Sequence, residues 1–180
     1  MSLAKNLRAF RGVWAAAAAI VAIGPFAVWK LEFMPPWPPS SPGLLVASAY
    51  LACMLAVIVA SQVADKTPEN LKIRLGIGVL LVAGFLLMLY LYLNARFVVS
   101  IQTIGGAGPE FRRYIIGTRL YPGRDPLLDP ATLIQTYGYG RVYEPASLIL
   151  PRMALVGTFI GSFVSTYFGV VLVAVGSSRR

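Results

Sequence analysis

The sequence predicts an α-helical integral membrane protein, a four-helix transmembrane bundle with a small α+β extramembrane segment between spans 3 and 4. Three observations carry this. Of 180 residues, 57% are hydrophobic and the mean hydropathy is +0.70, whereas soluble domains are roughly 45–50% apolar. Four runs, at 13–29, 43–63, 75–95 and 153–176, contain no Asp, Glu, Lys or Arg, and crossing a bilayer takes roughly 20 apolar residues. Residues 96–152 form the only sizeable polar stretch. The chain therefore divides into 1–95 (spans 1–3, with a Pro-rich loop at 31–42), 96–152 (an extramembrane β-hairpin plus short helix) and 153–180 (span 4 and a basic tail).

The first run follows Lys5, Arg8 and Arg11, like the basic region of a signal peptide. However, the run is long and Val28-Trp29-Lys30 offers no small-residue cleavage site, so an uncleaved span is expected. Gly24-Pro25 should kink or end it, because proline removes a backbone donor. Residues 31–42 read LEFMPPWPPSSP. That proline density favours a stiff polyproline II connector, with Phe33, Met34 and Trp37 at head-group depth.

The second run places Ser48, Ala52, Ala56 and Ala60 at steps of four, a ladder of small residues on one helix face. Cys53 lies inside this run, and as the lone cysteine it is expected to act as a small packing residue. Thr67-Pro68 should open a new helix. The third run carries Gly76, Gly78, Ala83 and Gly84, with Tyr90, Tyr92 and Asn94 at its far end.

In the polar stretch, 97–104 and 113–121 are β-prone and flank a glycine-rich turn at 105–109, which predicts a hairpin. Asp129-Pro130 followed by ATLIQTYG reads as an N-cap, an N1 proline, a short helix and a closing glycine at Gly138. Glu144-Pro145 should open a helix that runs into the last span, with Pro151 kinking it. A segment this small needs the membrane part or other subunits to complete its core.

The last span has two unlike faces. Gly157, Gly161, Ser165 and Gly169 recur at steps of four beside Thr158, Ser162 and Thr166, while Phe159, Phe163, Tyr167 and Phe168 make the other side bulky. The small, hydroxyl-bearing face is either a helix-packing face or the lining of a pore. A single chain of four spans is too small to enclose a pore, so that reading requires a homo-oligomer. The ladders of the second and fourth spans are also placed to pack on each other. Arg141 and Arg152 near the outer mouth would favour anions, and no acidic ring is present to select cations.

The composition excludes several chemistries. With no His and one Cys, there is no histidine base, Cys/His or Ser/His pair, or internal disulfide. Asp125 and Asp129 both adjoin proline, which fits turn and capping roles. No metal, cofactor or catalytic set is expected. The formal net charge of +9 points to anionic lipid head groups. Arg112, Arg113, Arg119 and Arg124 interleave with Tyr114 and Tyr121, but on the side away from the cytoplasm they suit lipid phosphates or water, and no direct nucleic-acid contact is expected. The two sides of the membrane carry equal numbers of basic residues. Charges in short loops beside span ends weigh most, and these put both termini in the cytoplasm.

The stretch from Tyr114-Ile-Ile-Gly-Thr-Arg119, through Asp129–Gly138, to Val142-Tyr-Glu-Pro-Ala-Ser-Leu-Ile149 resembles the small four-span membrane effectors of bacterial antiphage defence systems, the Hailong type among them. The resemblance covers about a third of the chain. It implies a bacterial inner-membrane, oligomeric channel that a cytoplasmic nucleotidyltransferase-like partner holds closed and that depolarises the cell on infection. It brings no catalytic residues. The expectation is thus an oligomeric, anion-leaning channel effector. The alternatives are a non-conducting scaffold subunit of a larger complex and, less favoured by the residues, a lipid-handling enzyme.

Overall fold

The computed structural model describes residues 35–36, 42–105 and 108–177. The first predicted span, most of the Pro-rich loop and the last three residues lie outside these. The described chain is mostly helical, and three of its helices are long and apolar enough to cross a membrane. They are α1 (Pro42–Lys66), α2 (Glu69–Phe97) and α4 (Pro145–Ser177), which contain the second, third and fourth predicted spans. Between α2 and α4 come β1 (Val98–Gly105), β2 (Gly108–Ile115) and α3 (Pro130–Tyr137), then a 3₁₀ turn at Tyr139–Arg141.

The chain forms two compact units. One holds the described residues of 43–87 and 159–180, the other those of 35–42 and 88–158. In the first unit α1, α2 and α4 pack together. Ala60 and Ala64 of α1 bury against Val171, Leu172 and Val175 of α4. Cys53 and Ala56 bury against Tyr167, with Phe163 and Val164 alongside. On α4's other side a Cβ at Gly169 would lie 2.7 Å from Leu80 Cγ and 3.0 Å from the Gly76 carbonyl oxygen of α2. A Cβ at Gly76 would in turn lie 2.7 Å from Val173 Cγ2. The two backbones come this close because neither position has a side chain. Ala56 and Ala60 of the α1 ladder thus receive bulky residues of α4, and Gly169 of the α4 ladder receives Leu80 of α2.

Burial ranks the helices. In the most apolar 18-residue window of α4, 44% of residues are buried within the protein, against 22% for α1 and 17% for α2. Leu81, Phe85, Met88 and Tyr92 of α2 are exposed, as suits a helix whose outer side meets lipid.

In the second unit the sheet is one antiparallel hairpin, in register from Val98 opposite Ile115 to Gly105 opposite Gly108. This corrects the expected strands and turn: β2 begins at Gly108, includes Pro109 and ends at Ile115, six residues short of the predicted end at 121. β1 leaves directly from the end of α2, so its partner pairs back over the same eight residues. Pro109 is tolerated near the strand start, where a missing N–H costs little. Beyond Ile115, Ile116 N still donates to Phe97 O, and Leu120 forms an isolated bridge to Tyr143. The core of this unit is Ile101 from the hairpin, Leu133 and Ile134 from α3, Val142 and Tyr143, and Leu148 from the first turn of α4. The membrane helix thus completes the small domain.

The local signals at α3 match its geometry. Asp129 Oδ2 accepts from Ala131 N at 3.0 Å and Thr132 N at 3.4 Å, Pro130 opens the helix, and Gly138 takes a φ of 79° while its N–H donates to Ile134 O. Pro68 precedes α2, and its carbonyl accepts from Leu71 N and Lys72 N. α4 continues through Pro151, whose ring nitrogen has no proton to give the Ser147 carbonyl.

Crowding Gly169 tests the α2–α4 contact. Gly169→Leu is expected to cost about 1–3 kcal/mol through overpacking, lowering the midpoint of unfolding in mixed detergent micelles. Gly84→Leu, where a Cβ meets nothing within 4 Å, should leave the midpoint unchanged.

Candidate functional site

The small face of α4 is the feature of the spans with most polar chemistry, so its groups are taken first. Gly161 stands against Leu86, whose Cδ1 would be 3.3 Å from an added Cβ, and Gly169 is closed by Leu80 and Gly76. Gly157 is open, with nothing within 4 Å of an added Cβ. Each bonded hydroxyl turns its proton onto its own helix. Thr158 Oγ1 donates to Ala154 O at 2.7 Å, Ser162 Oγ to Phe159 O at 2.8 Å, and Thr166 Oγ1 to Ser162 O at 2.7 Å. Ser162 is buried, while Thr158, Ser165 and Thr166 are half-buried. Such back-bonding is the usual way a hydroxyl is satisfied in an apolar helix. It leaves lone pairs rather than protons facing outward, and lone pairs do not attract anions. The predicted residues thus share one face, but Gly161 and Gly169 of that face are occupied by α2.

Arg141 and Arg152 make separate contacts. Arg152 is half-buried, and its Nη2 donates to the Tyr139 hydroxyl at 3.4 Å. Tyr139 passes the contact on by donating to Ile115 O at 2.8 Å, and its ring stands 5.1 Å from that of Tyr114. The arginine of α4 is thereby connected to the end of the hairpin through one tyrosine. Arg141 is exposed and contributes its carbonyl, which accepts from Arg124 Nε at 3.1 Å. The Arg124 guanidinium lies 3.9 Å over the Tyr137 ring, a cation–π contact.

A second polar cluster, at the end of α2, has no sequence-local signature. Arg113 Nη2 donates to Asn94 Oδ1 at 2.7 Å, and Arg113 also hydrogen-bonds the buried Tyr90 phenol. Asn94 and Tyr90 share a face of α2 at a spacing of four, and only the hairpin register, with Arg113 opposite Ser100, brings the guanidinium back to them. Tyr143 is buried beside this unit's core. Burial first, then the charges of Asp129 and Tyr139, push its phenol above the ordinary tyrosine value. Near Gly117 the chain is tight: a Cβ there would meet Ser147 Oγ and the Tyr143 side chain. Ser147 Oγ itself donates to Glu144 O.

Among the described residues, no group of three or more His, Cys, Asp or Glu side chains is placed to hold a metal. Comparison of the chain with protein-family models, curated proteins and solved structures gives no match.

Two outcomes follow for the second unit. Arg113→Met removes charge-assisted hydrogen bonds worth about 1.5–3 kcal/mol, so amide exchange in β1 and β2 should quicken by an order of magnitude or more while α1 exchange is unchanged. The raised Tyr143 value means that the folded state holds the phenol's proton more tightly than the unfolded one. Its contribution is complete below pH of about 10 and is lost as pH rises through the folded-state value. Alkaline unfolding followed by circular dichroism should therefore shift to higher pH in Tyr143→Phe.

Proposed function

We propose that the protein is a non-conducting membrane scaffold subunit, which anchors a small α+β unit at one face of a bacterial inner membrane and assembles with other subunits there. The observation that supports this most is the use of α4's small face in packing. Gly161 and Gly169 admit Leu86 and Leu80 of α2, and the protons of Thr158, Ser162 and Thr166 are bound to carbonyls of α4 itself. A face engaged in this way holds a bundle together and has little left to offer a permeating ion. We place both termini in the cytoplasm, on the short-loop charges, and the α+β unit on the opposite side.

An oligomeric channel effector of antiphage defence, gated by a nucleotidyltransferase-like partner, is the second reading. One observation favours it: Gly157 is open to its surroundings and lies beside the half-buried Thr158. A pore axis shared by several copies would have to run past this outer part of α4, and homo-oligomerisation is part of this proposal.

Planar-bilayer recording on the purified protein separates the two. The scaffold reading expects no unitary conductance and no depolarisation when the protein is expressed without a partner. Unitary currents that Gly157→Leu with Thr158→Val reduce at least several-fold would overturn it and establish the channel.

A further inference from the structure

Residues 121–128 leave the Leu120–Tyr143 bridge and end at Asp129, the N-cap of α3. The turn they form is braced from within. Arg124 N donates to Tyr121 O, Leu127 N donates to Asp125 Oδ1 at 2.9 Å, and Leu128 N donates to Asp125 O at 3.3 Å. The Arg124 side chain fixes the turn's base to Arg141 O and to the Tyr137 ring. This rigid turn holds Leu127 outward at 91% exposure, with Leu128 beside it at 39%. Leucine side chains braced in that position gain nothing from water, and the turn has no need of them for its own hydrogen bonds.

The surroundings of the turn favour a lipid surface. Arg119 and Arg141 are exposed and Arg124 is half-exposed. Asp125 and Asp129, the nearest acids in sequence, are engaged as acceptors within the turn and at the helix cap. An apolar tip with a basic flank is the composition of segments that lie in the head-group layer. The same unit also exposes other large apolar side chains, Met88 and Tyr92 on α2 and Leu150 and Met153 on α4. α4 has 33 residues, about 50 Å of helix, against a hydrocarbon core of roughly 30 Å. Its first turns, starting two residues after Tyr143, precede the charge-free run that begins at 153. Tethering at both ends keeps the tip at high effective concentration near the bilayer, so a two-leucine contact is enough.

We propose that the 122–128 turn is a second membrane contact, in which Leu127 and Leu128 enter the head-group–acyl boundary of an anionic bilayer while Arg119 and Arg124 meet lipid phosphates. This rests on membrane embedding alone and is independent of whether the protein conducts.

The test uses the full chain in nanodiscs of phosphatidylcholine, with or without phosphatidylglycerol. Cys53→Ala supplies a thiol-free background, in which Leu127→Cys or, as an aqueous control, Gln135→Cys on α3 carries a nitroxide. At 127 the label should collide more often with oxygen than with a water-soluble nickel chelate. At 135 the order should reverse. The immersion at 127 should deepen with phosphatidylglycerol, and Arg119→Gln should remove at least half of that gain. With both leucines native, amide exchange at 127 and 128 should be at least threefold slower in the anionic discs. A label at 127 as water-accessible as that at 135 in both discs would overturn the proposal. So would a label shielded from both relaxants, which would mean that a second copy of the chain covers the turn.

Discussion

The structure depends on how α4 is held on two sides in a solvent as apolar as its own side chains. In hydrocarbon there is no water to expel, so helices associate through close packing and satisfied polar groups. The spans meet this by exchanging sizes. α1 offers Cys53, Ala56, Ala60 and Ala64, and α4 fills them with Tyr167, Val171, Leu172 and Val175. α4 offers Gly161 and Gly169, and α2 fills them with Leu86 and Leu80. Small meets large at both contacts, with one exception at Gly76 and Gly169. There two glycines face each other and the backbones themselves make the contact. α1 and α2 can then expose most of their outer surface to lipid while α4 is gripped between them.

The helices were legible in the sequence because they depend on local quantities. Charge-free runs gave the three described spans, and Asp129, Pro130 and Gly138 marked both ends of α3 by the same bonds that the structure contains. What the sequence could not supply was pairing. The hairpin's second strand was expected at 113–121 because β propensity is high there, yet it lies at Gly108–Ile115. The register is set by where α2 releases β1, a constraint that no residue of the second strand carries. Likewise, steps of four revealed both small-residue ladders but not what fills them. A ladder shows that something bulky or close can approach and leaves its identity to tertiary structure. The Arg113–Asn94 bond spans 19 positions and has no periodic signature.

The second unit faces the opposite problem from the first. It is too small to bury a large core alone, and it solves this by borrowing the start of a membrane helix: Leu148 of α4 belongs to the same buried cluster as Ile101, Leu133 and Val142. Polar ties at its base do further work. Arg113 ties the hairpin to the last turns of α2, and Arg152 reaches Tyr139, whose hydroxyl is bonded to the last residue of β2. Arg152 stands at the start of an apolar run, where an unpaired arginine would be costly. Its tyrosine partner brings that cost down.

These ties bear on the choice between scaffold and channel. Within the second unit Arg152 of α4 reaches Tyr139, which bonds the β2 terminus, and within the first α4 is held by glycine contacts on one side and the buried Tyr167 on the other. Rotating α4 far enough to turn Thr158 and Ser162 toward a shared axis would withdraw Tyr167 from the Cys53–Ala56 pocket and separate Gly76 from Gly169. Both contacts rely on close fit, and in a bilayer close fit is what holds the helices together. The contacts at Gly161 and Gly169 are those that the scaffold reading accounts for, and the open Gly157 is the one that the channel reading would use.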